Sequence, residues 1–189
     1  MSQAGEVFRE IYATRFWGEG SGGGSNPKQV ASYLKFLDGL ILDLKPSRVL
    51  DIGCGVGWMA GAVNWRGARY IGVDVVPEVV DEASHHLPGE FHVLDAITDP
   101  LPAADLAILK EVTQHLDNAS ILKLLGNIQT YPLVLHCSIH EGESNGEIKM
   151  GETRSVDLRL EPFSIPCENV FTYQIAGSNY LCQLWRPQA

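Results

Sequence analysis

The stretch Arg48-Val49-Leu50-Asp51-Ile52-Gly53-Cys54-Gly55-Val56-Gly57-Trp58 decides the fold. An apolar run carrying one acidic residue ends and turns through three alternating glycines into what reads as a helix start. Glycine has no Cβ, so the backbone of such a loop can come close to a ligand. In open α/β sheets that ligand sits beyond the carboxyl ends of the strands. A dinucleotide fold asks for G-x-G-x-x-G, with a small third residue so that helix packs on strand. Here the spacing is G-x-G-x-G, and Trp58 stands where the small residue is needed. Asp51, two residues before the first glycine, is placed to accept hydrogen bonds from a cationic or amine-bearing ligand. Both departures argue against NAD. The competing reading is a glycine-rich turn with no ligand.

Outward from this stretch the chain alternates strand and helix, the signature of a parallel sheet with crossover helices. Strands are expected at 48–52, 69–75, 90–94, 105–109 and 133–139, with helices at about 56–65, 77–86 and 118–128. Runs 169–176 and 180–185 around Gly177-Ser178-Asn179 read as an antiparallel hairpin. On the N-terminal side a helix is expected from Glu6 to Trp17, with Val7, Phe8, Ile11 and Tyr12 at helical spacing. A second is expected from Pro27, well placed at a first turn, to about Leu44. Between them, residues 18–27 are glycine-rich. That run reads equally as a flexible linker or as a lid with Phe16 and Trp17 on its shoulder.

The segment Val49 to Gly57 resembles the first motif of class I S-adenosylmethionine (SAM) dependent methyltransferases, D/E-x-G-x-G-x-G after a strand. The resemblance implies an α/β fold: a three-layer αβα sandwich around a mostly parallel seven-stranded sheet, order 3-2-1-4-5-7-6, with an antiparallel C-terminal hairpin. It implies one domain over 1–189, with helices and lid in 1–46, the core in 47–189 and an insert at about 141–168. It also implies S-adenosylmethionine as cofactor, with Asp51, Gly53, Cys54, Gly55, Gly57 and Trp58 in its loop. The ribose hydroxyls then need a carboxylate at the end of strand two, and Asp74, followed by Val75, stands about 20 residues on. Asp95 and Ala96 close strand three, where the family contacts the adenine; the plain alternative is an Asx turn before Asp99-Pro100.

Lys110 to Leu116 (Lys-Glu-Val-Thr-Gln-His-Leu) follows strand four and is similar to a frequent family segment beside the transferred methyl group. Lys110 is carried over as a cofactor contact. Methyl transfer asks for in-line positioning and, for an alcohol, phenol or protonated amine, a base. His115 and Glu111 are the candidate catalytic residues, with Gln114 beside them; the structural alternative is that His-Leu starts the next helix. The [DNS]-P-P-[YFW] motif of enzymes acting on exocyclic DNA amines is absent, as is the Pro-Cys nucleophile of cytosine C5 enzymes.

His136 and His140 share a strand face, with Glu141 and Glu143 following, but no third convincing metal ligand accompanies them and no metal is expected. They are read as acceptor-side residues. The polar insert is long for a routine connection. Together with the segment at Trp17 it is similar to the lid and insert of a group of small bacterial and phage methyltransferases. Asn145 and Arg154 are the substrate-side candidates in it, with Trp17 from the lid.

Bulk composition bounds the rest. With 189 residues and 45% apolar content there is enough for one full core. The net charge of −9, with 14 basic residues spread out, disfavours nucleic acid, which is bound through phosphate neutralisation. A small molecule or an exposed polar group is expected as the methyl acceptor. No apolar run approaches membrane-spanning length and Met1 to Glu6 lacks a basic, apolar leader pattern, so a cytoplasmic protein is expected. Cys54, Cys137, Cys167 and Cys182 show no C-x-x-C pair and read as reduced packing thiols. The rival function is a non-catalytic SAM-binding sensor or partner subunit.

Overall fold

A computed structural model describes residues 2–187. Its sheet grows outward from β1 (Arg48–Ile52), which pairs in parallel with β2 (Arg69–Asp74) on one side and β4 (Leu106–Lys110) on the other. β3 (Glu90–Val93) flanks β2, and β5 (Val134–Ile139) flanks β4. The hairpin of β6 (Cys167–Ile175) and β7 (Ser178–Trp185) closes the far edge, β7 running antiparallel to β5. The order β3-β2-β1-β4-β5-β7-β6 reverses between β1 and β4. That switch point is where an open sheet leaves a crevice for a ligand.

Side chains alternate across each strand, so β1 and β4 feed two cores at once. Val49, Leu106, Ile108 and Leu135 go under α2 (Ala31–Leu44), with Tyr33, Leu37 and Ile41. Leu50, Ile52, Ala107 and Leu109 go under α5 (Asn118–Ile128), against Ile121, Leu124 and Ile128. α5 begins where Asp117 caps it, its carboxylate accepting from Ser120 N at 2.8 Å. α4 (Pro77–His86) begins on proline and packs beside β2 and β3. α1 (Gln3–Ala13) and α3 (Trp58–Ala62) complete the helices.

Several boundaries differ from the sequence expectation, each for a local reason. α2 starts at Ala31, because Asn26 Oδ1 accepts from Lys28 N at 3.0 Å and folds Asn26–Gln29 into an Asx turn. α1 ends at Ala13, since Arg15 adopts φ +52 and turns the chain before Trp17. α3 stops at Ala62, where Val63 is extended and leads into a turn with Arg66 and Gly67 at positive φ. β4 is shifted one residue, because Asp105 turns its carboxylate onto Ser47 N and Arg48 N at 2.7 and 2.9 Å. The hairpin turns on Ala176-Gly177, both at positive φ, so Ser178 and Asn179 belong to β7.

Residues 140–166, between β5 and β6, form neither helix nor strand. They are held by a buried polar network centred on Asn145, whose amide nitrogen donates to Asp157 O at 2.8 Å while its Oδ1 accepts from Asp157 N at 3.0 Å. Asp157 is 1% exposed and also accepts from Gln183 and Arg159. Burial alone would raise its carboxyl pKa, but these donors outweigh it and bring it to about 2.

His136, fully buried beneath this network, shares a 2.7 Å hydrogen bond with Thr113 Oγ1, and burial pushes its pKa down to about 4. A histidine whose folded pKa lies below its unfolded value of about 6.5 favours the folded state at high pH and disfavours it as pH falls. Between pH 6.5 and 5 this residue is expected to remove about 2 kcal/mol of stability. Urea unfolding across that range checks it, and a His136→Gln variant should show a flatter slope.

Candidate cofactor and acceptor site

A cavity of about 320 Å³ opens at the switch point. Its floor is the ends of β1, β2 and β4: Ile52 and Gly53, then Asp74 and Val75, then Lys110 and Glu111. Asp95, Ala96 and Ile97 extend it past β3. Its roof is the N-terminal segment, with Phe8 and Tyr12 from α1, Trp17, and residues 21–25 of the glycine run. Val112, Gln114, His115 and Leu116 form one wall, joined by Thr153 from the insert.

The roof is tied to the floor by direct bonds. Ser21 Oγ accepts from Val56 N at 3.0 Å and from the Tyr12 hydroxyl at 3.0 Å. Lys110 Nζ donates to Gly24 O and to the Glu111 carboxylate, with the Tyr33 ring 5.3 Å below it. Gly20 lies against Trp58: a Cβ there would come within 2.6 Å of its indole. The glycine run is therefore seated on the core as a cover. Gly55 serves this closure, while Gly53 makes room for the wall. At Gly55, with φ +54, a Cβ would overlap Ser21 Oγ, and at Gly53 it would overlap Val112 Cγ2.

The acidic strand ends differ from one another. Asp74, 8% exposed, accepts from Gly55 N at 2.9 Å and Val76 N at 3.0 Å and lines the cavity. Burial raises its pKa, and the Val76, Gly55 and Val75 amides pull back against that. The two carboxylate oxygens together offer about four acceptor sites, so capacity for a ligand donor is left. Asp95 Oδ1 accepts from Ile97 N at 2.9 Å, the Asx turn that the sequence offered as an alternative, and Asp95 still lines the cavity. Asp51 does not. Strand alternation sends it away from Ile52, into the interior, where it is 2% exposed and accepts from the Tyr70 hydroxyl at 2.6 Å. Burial lifts its pKa to about 7.

Of the expected cofactor residues, then, the cavity brings together Gly53, Asp74, Val75, Asp95, Ala96 and Lys110. Cys54, Gly55, Gly57 and Trp58 do not line it: Cys54 is buried, Gly55 is covered by Ser21, Gly57 packs against Leu87 of the α4–β3 connection, and Trp58 supports Gly20. On the acceptor side Trp17, Gln114, His115 and Glu111 are brought together. His136 and His140 do not reach the cavity, His136 because its side chain is sealed under the insert. Among the described residues no group of histidine, cysteine, aspartate and glutamate side chains is arranged for a metal ion. Asn145 and Arg154 also lie outside the cavity. Asn145 spends its amide on the 157–161 backbone, and Arg154 spends its guanidinium on Gly146 O and Leu116 O.

Sequence reading missed Phe8, Tyr12, Ser21, Val112 and Thr153 as site residues. The i, i+4 pair Phe8 and Tyr12 was visible as a helical face beside the glycine run, and Ser21 as a hydroxyl within it. Nothing in the sequence marked Thr153, which arrives from about forty residues beyond His115 through the fold of the insert.

His115 sits in a 3₁₀ turn after β4, its ring 4.8 Å from that of Trp17. Its Nδ1 lies 3.0 Å from Glu152 O and 3.2 Å from Thr153 Oγ1. Burial lowers its pKa below the usual histidine value; the Glu152 carbonyl and the Glu111 charge oppose that without reversing it. The imidazole is therefore neutral at neutral pH. Glu111 itself adopts φ +58, an uncommon conformation for a side-chain-bearing residue, of the kind that clusters at functional sites.

A family model described as a methyltransferase domain matches residues 26–132, more than half of the chain. The chain belongs to that family, the class I SAM-dependent methyltransferases. Among curated relatives, magnesium-protoporphyrin O-methyltransferase of Rhodobacter capsulatus is 41% identical over 64 residues, 31% of this chain and 28% of that protein. Ubiquinone biosynthesis O-methyltransferase of Coxiella burnetii is 30% identical over 95 residues, 50% of this chain and 38% of that protein. The chain thus spans well under half the length of these relatives. Among solved structures, magnesium protoporphyrin IX methyltransferase of Synechocystis PCC 6803 with bound SAM superposes with a TM-score of 0.62 at 15% identity, covering 98% of each chain. Human N-acetylserotonin methyltransferase in complex with SAM gives 0.63 at 21% identity, over 98% of this chain and 60% of that one. No helix among the described residues is long and apolar enough to cross a membrane.

Proposed function

We propose that the protein is a SAM-dependent methyltransferase acting on the hydroxyl of a small-molecule acceptor, with His115 as general base. The observation that carries this reading is the coexistence, in one covered cavity, of two acidic strand ends and a neutral imidazole facing an aromatic wall. The donor set fits the cofactor. Asp74 keeps acceptor capacity for ribose hydroxyls, and Asp95 Oδ2 for an exocyclic amine. The rings of Phe8, Tyr12 and Trp17 offer π-faces to a cationic centre, and the buried Trp17 Nε1 has no protein acceptor.

When bound, the cofactor supplies an activated methyl group on a sulfonium. The residues of the chain do the rest. Asp74 and Asp95 set the register of the nucleoside end. Lys110, bonded to Gly24 O and to the Glu111 carboxylate, ties the cover to the end of β4. His115 takes the acceptor's proton. The wall of Trp17, Val112 and Leu116 orients an apolar acceptor body, and orientation of this kind is worth several kcal/mol. The −9 charge and the enclosure both favour a small molecule over nucleic acid.

Titration calorimetry with S-adenosylhomocysteine tests the cofactor assignment, with NADH as the control. Saturable binding of the first and none of the second is expected; preference for NADH would sink it. Asp74→Asn should weaken the nucleoside by about 1–3 kcal/mol, as a ribose donor loses its carboxylate. Unchanged affinity in a folded variant would remove Asp74 from the site.

A further inference from the structure

We infer that the insert and Gln114 act together as a tautomer lock on His115, fixing the proton on Nδ1 and leaving the Nε2 lone pair as the atom that does acid–base work. This rests on the proposed function for its catalytic meaning, though not for its geometry.

The inference follows from donor and acceptor identities alone. At one end of the ring, Nδ1 faces Glu152 O at 3.0 Å. A backbone carbonyl only accepts, so Nδ1 carries the hydrogen. At the other end, Nε2 faces Gln114 Nε2 at 3.3 Å. An amide nitrogen only donates, so the ring nitrogen there presents its lone pair. The orientation of the Gln114 amide is itself fixed, because Gln114 Oε1 accepts from Ile139 N at 3.0 Å, and a backbone N–H admits no other arrangement. A directed chain therefore runs from the end of β5 through Gln114 and His115 to the insert. The 3.3 Å contact is at the long end for a hydrogen bond, so an acceptor hydroxyl entering the cavity can displace it at little cost. Thr153 Oγ1, 3.2 Å from Nδ1, accepts a share of the same hydrogen.

The insert is built to keep this arrangement. Gly151 N donates to His115 O at 2.8 Å, Arg154 N to Gln114 O at 3.1 Å, and Arg154 Nη2 to Leu116 O at 3.0 Å. These bonds register residues 151–154 against residues 114–116, which places the Glu152 carbonyl opposite Nδ1. Arg154 is thus a positioning residue that acts through His115. The charged groups near the ring are Glu111, from the end of β4, and Glu152, whose carboxylate is engaged with Lys149 N at 2.9 Å.

Long-range ¹H–¹⁵N correlation spectra of the intact protein read the tautomer directly, with the His115 signals assigned by their loss in His115→Gln. At pH 7.5 Nδ1 is expected to be protonated and Nε2 unprotonated, the reverse of the form that free imidazole side chains favour. An Nε2–H tautomer would overturn the inference. Gln114→Glu keeps an oxygen for Ile139 N but presents a carboxylate to Nε2. It is expected to move the proton to Nε2, or make the ring imidazolium, and to shift the acidic limb of turnover upward by at least one pH unit, with the cofactor constant little changed. An unaltered ¹⁵N pattern in the folded variant would equally overturn it. The spectra need neither cofactor nor acceptor, so they fail or hold separately from the general-base assignment, which fails if His115→Gln retains full turnover, and from the methyltransferase reading, which fails if S-adenosylhomocysteine does not bind.

Discussion

His115→Ala is expected to lower turnover about 10²–10⁴-fold, the usual contribution of a positioned base, while S-adenosylhomocysteine affinity changes by less than about threefold. The asymmetry follows from position. His115 lines the cavity from the turn after β4, its ring 4.8 Å from that of Trp17, whereas Asp74 and Asp95 line it from the ends of β2 and β3, where the proposed function puts the nucleoside. The working form is the neutral ring. Burial lowers its pKa, so turnover should be flat through neutrality and fall on an acidic limb below pH 6.5 as the imidazole takes a proton. The limb should vanish in the variant. Steady-state kinetics against pH, with cofactor affinity measured in parallel, decides it: equal loss of turnover and affinity would mean that His115 only shapes the cavity.

How legible this was in the sequence depended on the distance over which each signal acts. The strands of the core were readable because Val49 to Ile52 and Leu106 to Leu109 are continuous apolar runs bounded by turn residues, and burial on both faces leaves them no alternative. Asp74 and Asp95 were readable because a strand end fixes where a side chain emerges. Asp51 looks the same locally, and only pairing with β2 reveals the Tyr70 hydroxyl that takes its carboxylate. The purpose of the glycines was hidden for a similar reason. The bare face of Gly55 is filled by Ser21, thirty-four positions earlier, and spacing within the motif carries no trace of that. The insert was the least readable part. Its order comes from Asn145, Asp157 and Gln183 satisfying one another's buried polar atoms, and such a network has no period to detect.

Gly55→Ala is expected to cost about 2–5 kcal/mol, from two separable sources. A side chain at φ +54 costs roughly 1–2 kcal/mol in backbone strain. The new methyl also occupies the space of Ser21 Oγ, and forcing atoms into a filled position costs about 1–3 kcal/mol. The strain acts on the core and should lower the melting temperature whether or not the cover is closed. The overlap acts on the cover, because Ser21 is the movable partner. Pushing it away breaks its bonds from Val56 N and Tyr12, unseating residues 18–25 from the cavity. Cofactor affinity should therefore fall by at least tenfold, and trypsin should cut more readily at Arg15, which lies exposed at the start of the cover. A double-mutant cycle separates the two effects. Ser21→Gly removes the obstructing hydroxyl, so its loss and the overlap are one event counted twice in the single variants. The pair is then expected to weaken cofactor binding by at least about 1 kcal/mol less than the sum of the singles. Strict additivity would mean that Ser21 and Gly55 act independently and that the glycine run does not close on the loop.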